Sequence, residues 1–161
     1  MPITVRLAKK QDHPAVERLL RQIAQLHADL RPDVFRPASC KYDKKRYYGL
    51  LRHRNTPVLI AQNERGEVLG YAMLLMKTIG RKHPVFRPRR ILYIDDLCVD
   101  EAARGQGIGT ALMGAVRELA RERGLERIEL NVWERNEGAM RFYEQMGFQT
   151  QRRGLETEVN L

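Results

Sequence analysis

At 161 residues the chain has the length of one domain with a real core, and 43% hydrophobic residues is a globular rather than a disordered composition. A formal charge of +9 suits an acidic partner, either a phosphate-bearing small molecule or a nucleic acid, or else a solvated basic surface. No apolar run nears the roughly 20 residues that span a bilayer. The start, Met1-Pro2-Ile3-Thr4-Val5-Arg6, has no signal layout, and Cys40 and Cys98 stand too far apart for a metal-type pair. The expectation is a single domain, 1–161, in a reducing cytoplasm, with no membrane and no metal.

Ile3 to Leu7 alternates as a short strand. Asp12 is placed to cap a helix with Pro14 in its first turn and Val16, Leu19, Leu20, Ile23 and Leu26 on one face. Arg31 to Pro37 interrupts any helix, and a second helix is predicted from about Asp43 to Arg52. Val58–Gln62 and Val68–Met76 read as a hairpin turning at Asn63-Glu64-Arg65-Gly66. A basic loop marked by proline, about Lys77 to Arg90, leads to an extended run, Ile91 to Val99. Ile108, Ala111, Leu112, Ala115, Val116 and Leu119 then recur at helical spacing, with Gly124 as the terminating glycine. A strand from about Arg127 to Trp133, a helix from about Glu137 to Met146 and two short closing strands complete the chain. The order implies an α/β fold with a mixed sheet flanked by helices.

Between the extended run and the long helix lies Arg104-Gly105-Gln106-Gly107-Ile108-Gly109-Thr110. Glycines on alternate positions let backbone N–H groups face a ligand, and the helix start adds unpaired donors and about half a positive charge. A dinucleotide fingerprint needs G-x-G-x-x-G, and here Thr110 stands where its third glycine belongs. A mononucleotide loop needs Gly-Lys-Ser/Thr, which is missing. A multi-oxygen anion such as a diphosphate fits, as does a bare strand-to-helix turn.

Arg104-x-x-Gly107-x-Gly109 resembles the acetyl-coenzyme A motif of the GNAT superfamily of N-acetyltransferases. A second block, Asn131 to Phe148, resembles that family's strand, Asn-containing loop and Ala-x-x-Phe-Tyr helix ending in Gly-Phe. The blocks stand in the family order, and the resemblance spans nearly the whole chain. It implies a GNAT-like, mostly antiparallel central sheet of about seven strands, splayed between the fourth and fifth, with about four helices. Acetyl-CoA would be the co-substrate. Backbone groups of Leu97, Cys98 and Val99 would hold its pantetheine arm, and Gln106, Gly107, Ile108, Gly109 and Thr110 its diphosphate. Arg104 would add charge or brace the loop, Asn136 would contact pantetheine, and Arg141 would reach a phosphate.

An alkyl amine with a pKa of about 10 must lose a proton before it attacks a thioester, and a nearby carboxylate serves that step. Asp95 and Asp96 occupy the strand position where relatives carry such an acid. Strand alternation puts them on opposite faces, so one alone looks into the cleft; the comparison with relatives favours Asp95, then Asp96. A carboxylate that merely orients the acceptor, or pairs with a loop arginine, is the competing reading. Tyr143 matches the family's general acid for the departing thiolate, and a packing role is its alternative. A backbone N–H near Leu97 or Cys98 would serve the oxyanion. Cys98 itself reads as a small core residue.

Two basic groups stand out: Lys41, Lys44, Lys45, Arg46, Arg52 and Arg54, interleaved with Tyr47 and Tyr48, and then Arg81, Lys82, Arg87, Arg89 and Arg90. Solvated surface is favoured over a nucleic-acid face. The expected function is direct acetyl transfer to a primary amine of a small molecule or peptide. A non-catalytic acyl-CoA sensor and a basic nucleic-acid binder are the rivals, and a homodimer is left open. The acceptor would be gripped by about Asp29 to Leu51 and Lys77 to Arg90.

Overall fold

Val58 to Ala61 are buried without a break, as in a strand covered on both faces, and this segment sits second in a five-stranded sheet. The computed structural model describes residues 2–160 and divides into two compact units, Met1–Asn131 and Val132–Leu161. In the first, the strands run in spatial order β1 (Thr4–Leu7), β2 (Val58–Gln62), β3 (Val68–Ile79), β4 (Arg89–Val99) and β5 (Arg127–Leu130). All neighbours are antiparallel except β4 and β5, which are parallel. Among the described residues three α-helices belong to this unit: α1 (His13–Leu30), α2 (Lys44–Arg52) and α3 (Ile108–Glu122).

Helical spacing in α1 turns Val16, Leu19 and Leu20 inward, where they join Tyr47, Ile60, Tyr71, Met73 and Cys98 in one core cluster. Leu19 and Leu20 have no exposed surface, and burying each contributes about 1.5–3 kcal/mol. α3 uses the other face of β3. A Cβ on Gly70 would stand 3.1 Å from both Ile108 and Leu112, and 2.9 Å from the Cys98 carbonyl oxygen. The missing side chain is therefore what admits the start of α3 so close to the sheet. Tyr71, next along the strand, packs with the α1 cluster on the opposite side.

Two features depart from the regular pattern and matter for function. In the β3–β4 ladder, Met73 pairs with Asp96 and Leu74 with Ile94, so Asp95 is an extra residue, a β-bulge. In the β4–β5 ladder, pairing covers only Ile91 to Ile94. Asp96 to Val99 thus continues past the last described partner on that side while β3 pairs its other edge.

The expected seven strands are five among the described residues. The two closing strands are not formed: residues 149–160 hold no strand, and Leu155 and Val159 are more than 90% exposed. Their sequence can be extended, but a strand exists only where a ladder partner and a face to bury are supplied. The strand expected to reach Trp133 stops at Leu130. The loop expected over Lys77–Arg90 narrows to residues 80–88, because Lys77, Thr78 and Ile79 pair with Ile91, Arg90 and Arg89. Hairpin pairing here overrides basic composition, helped by Lys77 lying 3.8 Å over the Tyr93 ring. Asp12 stands at the N-cap of α1 without capping it by its side chain. Its carboxylate instead takes the Lys9 N–H at 2.7 Å and a two-pronged contact from Arg6.

The second unit carries α4 (Glu137–Gln145). Asn136 caps it, accepting the Ala139 N–H at 3.2 Å.

Candidate active site

The glycine turn folds as its sequence demands. Gly105 and Gly107 have φ of +78° and +80°, a region that costs a residue with a side chain. Nothing lies within 4 Å of where a Cβ would be on either, so the concavity is open. Gly107 is the N-cap of α3 and no side chain caps this helix, whereas Asp43 caps α2. The first intrahelical bond runs from Ala111 N–H to Gly107 O. The N–H groups of Ile108, Gly109 and Thr110 therefore precede it, and no acidic residue occupies the first turn. Uncapped donors around an open turn fit a diphosphate.

Asp100 fixes where that turn begins. Its backbone N–H donates to Leu69 O at 2.8 Å. Its carboxylate accepts from Arg18 at 2.6 Å, Gln22 at 3.2 Å and the Ala102 N–H at 3.2 Å. Burial alone would push this acid up; the bonds from Arg18, Gln22 and Ala102 outweigh it and hold the pKa below the usual carboxylate range. Gln22 closes the link by accepting the Glu101 N–H. The glycine turn is thereby tied to α1 and to β3 at once.

Upstream, the bulge overturns the expectation that Asp95 and Asp96 part to opposite faces. Both carboxylates bear on the same group, Tyr42, and both feel Lys41. An extra residue breaks the two-residue period, so neighbours across it no longer alternate. The Tyr42 hydroxyl donates to Asp95 Oδ2 at 2.5 Å, within the range of a hydrogen bond to a charged oxygen. Lys41 Nζ stands 3.1 Å from the same oxygen. Burial, then the Asp95 bond, raises the Tyr42 pKa far above that of a free phenol. Asp96 is pushed up to about 6, chiefly by burial and further by Asp95, against opposing pulls from Lys41 and Tyr71. The fully buried Tyr71 hydroxyl has no well-formed hydrogen bond, so its hold on Asp96 is partial.

Leu97, Cys98 and Val99 follow, paired to Ala72, Tyr71 and Gly70 on one side only. Cys98 is a core residue, as its position in the strand suggested. Its thiol donates to Leu19 O, and burial lifts its pKa to about 12. Arg104, Gln106 and Thr110 are exposed around the turn. The first unit thus brings together Asp95, Asp96, the open stretch of β4 and the glycine turn. Asn136, Arg141 and Tyr143 belong to the second unit. There Tyr143 is half-buried with its ring edge-on to Phe142 and Phe148 at 5.3 and 5.5 Å, Arg141 is exposed, and Asn136 has one oxygen committed to the helix cap.

A sequence profile described as the acetyltransferase (GNAT) family matches residues 20–148. The chain belongs to that family. It is 31% identical over 112 residues to an uncharacterized N-acetyltransferase of Methanocaldococcus jannaschii, a match covering 67% of this chain and 48% of that protein. An uncharacterized N-acetyltransferase of Bacillus subtilis is 25% identical over 150 residues, covering 91% and 90% of the two. Among solved structures, the tetramutant of the BH1408 protein from Bacillus halodurans superposes with a TM-score of 0.92 at 31% identity, over 97% of this chain and 99% of that one. GNAT acetyltransferases use acetyl-CoA as co-substrate. Among the described residues no cluster of His, Cys, Asp or Glu could hold a metal, and no helix is long and apolar enough to cross a membrane.

Four residues around this candidate site had no local signal. Tyr42 and Lys41 lie more than fifty positions before Asp95, and Arg18 and Gln22 about eighty before Asp100. Lys41 stood out only as part of a basic group. Long-range pairing of this kind follows from the fold, not from spacing.

Proposed function

We propose that the chain transfers an acetyl group from acetyl-CoA directly to a primary amine of a small molecule or peptide. The observation that carries this reading is the sequence of features along β4: a carboxylate pair at a bulge, a strand edge without a described partner, then an uncapped helix start behind an open glycine turn.

Each residue has a task in that reading. The N–H groups of Gln106, Gly107, Ile108, Gly109 and Thr110 hold the diphosphate, and Arg104 adds charge beside it. Leu97, Cys98 and Val99 offer backbone groups to the pantetheine amides in the manner of an added strand. Asn136 and Arg141 contribute further contacts, as the family motif implies. Asp95 or Asp96 removes the proton that leaves the amine without a lone pair, directly or through water. A peptide N–H near Leu97 or Cys98 takes up the charge that develops on the carbonyl oxygen. Tyr143 returns a proton to the departing sulfur. No enzyme nucleophile is needed, since holding both reactants together supplies the rate. The same reading takes residues 1–161 as one domain that works in the cytoplasm.

The test is release of free coenzyme A, followed with a thiol reagent, from acetyl-CoA and a panel of amines. Release that depends on one acceptor class supports the proposal. Calorimetric binding of acetyl-CoA with no release for any amine makes the protein a sensor instead. No binding at all, with salt-dependent affinity for DNA or RNA, favours the nucleic-acid reading.

A further inference from the structure

The loop between α1 and α2 delivers a primary amine of the protein's own onto the acid. Lys41 Nζ stands 3.1 Å from Asp95 Oδ2 and donates to the Asp95 backbone oxygen at 3.2 Å. Those two oxygens, presented by one residue at the bulge, are the acceptors that an incoming alkylammonium would use. The Lys41 side chain is 45% exposed, so it fills this place without being locked in. Lys44, three residues on, points its charge elsewhere, over the Tyr48 ring.

We propose that Lys41 is an acceptor built into the chain, acetylated on Nζ by acetyl-CoA held on the same molecule. The inference rests on the acetyltransferase reading above. Asp95 takes a proton from the Lys41 ammonium, and the freed lone pair attacks the thioester carbonyl. The N–C bond forms as the C–S bond breaks. Of the two protons the nitrogen loses, one goes to the departing sulfur and one, by way of Asp95, to solvent. The products are an amide at Lys41 and free coenzyme A thiol. The amide carries no charge, so the ion pair with Asp95 ends and the carboxylate is released. Reaction at Lys41 and not at its neighbours follows from proximity, which is worth many orders of magnitude in effective concentration.

The experiment incubates the full chain with acetyl-CoA and no added amine, follows intact mass, and maps modified lysines by peptide mass spectrometry. The expected result is a single acetyl group on Lys41, gained at a per-molecule rate that stays constant over a tenfold range of protein concentration. Lys44 and Lys45 report the rate of uncatalysed acetylation and stay largely unmodified. Asp95→Asn should slow Lys41 at least tenfold and leave Lys44 and Lys45 unchanged. Modification of Lys41 no faster than of Lys44 and Lys45, or at a rate proportional to protein concentration, overturns the inference. If that occurs while external amines are still turned over, the acetyltransferase reading stands and only the internal acceptor falls. If no amine is acetylated, internal or external, both fall.

Discussion

Asp96 is raised to about 6 chiefly by burial, with Asp95 adding to it, and this fixes the sign of two effects. A base must be ionised to accept a proton, so if Asp96 is the base, kcat/KM for the amine rises with pH through about 6. In Asp96→Asn that limb should vanish and the rate fall by about 10²-fold or more; a pH profile in which the limb persists removes Asp96 from the role. Stability runs the other way. A carboxyl whose folded pKa is raised stabilises the folded form below the ordinary carboxylate range, and that contribution is lost as pH rises through about 6. Asp96→Asn, neutral at all pH, should therefore be at least as stable as the parent at pH 8 in urea unfolding. Tyr143→Phe is the companion experiment: turnover should drop by about 10²-fold while calorimetry finds acetyl-CoA affinity intact.

At the scale of the element, the turn before α3 is defined by backbone conformation and α1 holds its entrance. Gly107→Ala places a side chain in open space, so the whole cost is that of φ at +80°, about 1–2 kcal/mol. Its Tm should fall accordingly and acetyl-CoA should bind more weakly. Asp100→Asn breaks the charged link to Arg18 at 2.6 Å. It should raise KM for acetyl-CoA far more than KM for the amine, a split that steady-state kinetics resolves. Sequence carried much of this level. The helix from about Asp43 to Arg52, the glycine turn and the periodic faces of α1 and α3 are local chemistry and read correctly. The bulge at Asp95 depends on a strand about twenty residues back, and the link from α1 to Asp100 and the arrival of Lys41 on partners fifty or more residues away. No window of sequence contains both members of such a pair. The missing closing strands fail for the same reason, since extended sequence says nothing of a partner edge.

Across the whole molecule, the core cluster that joins α1, α2 and the sheet sets stability, and the excess positive charge sets encounter. Leu19→Ala empties a site with no exposed surface and should cost about 2–5 kcal/mol in denaturant unfolding. Asp12 and Asp100 are both held below the ordinary carboxylate range, Asp12 chiefly by its bond to Arg6, with the Lys9 N–H assisting. Their contribution is present above that range and lost as pH falls through the depressed values, so acid unfolding should begin below about pH 4. Arg6→Met should move that onset to higher pH. A charge of +9 also attracts an anionic co-substrate at long range. Acetyl-CoA association should slow as salt is raised, with dissociation much less affected, in stopped-flow binding.

The register around residue 95 carries one more consequence. Because Ile94 and Asp96 already face adjacent residues of β3, excising Asp95 would leave every other cross-strand partnership in place and restore an uninterrupted ladder. Such a shortened chain should fold at least as readily as its parent yet lack the two oxygens on which Lys41 rests. The protein interrupts its longest hairpin at a single amino acid, the one whose carboxylate meets both Tyr42 and Lys41.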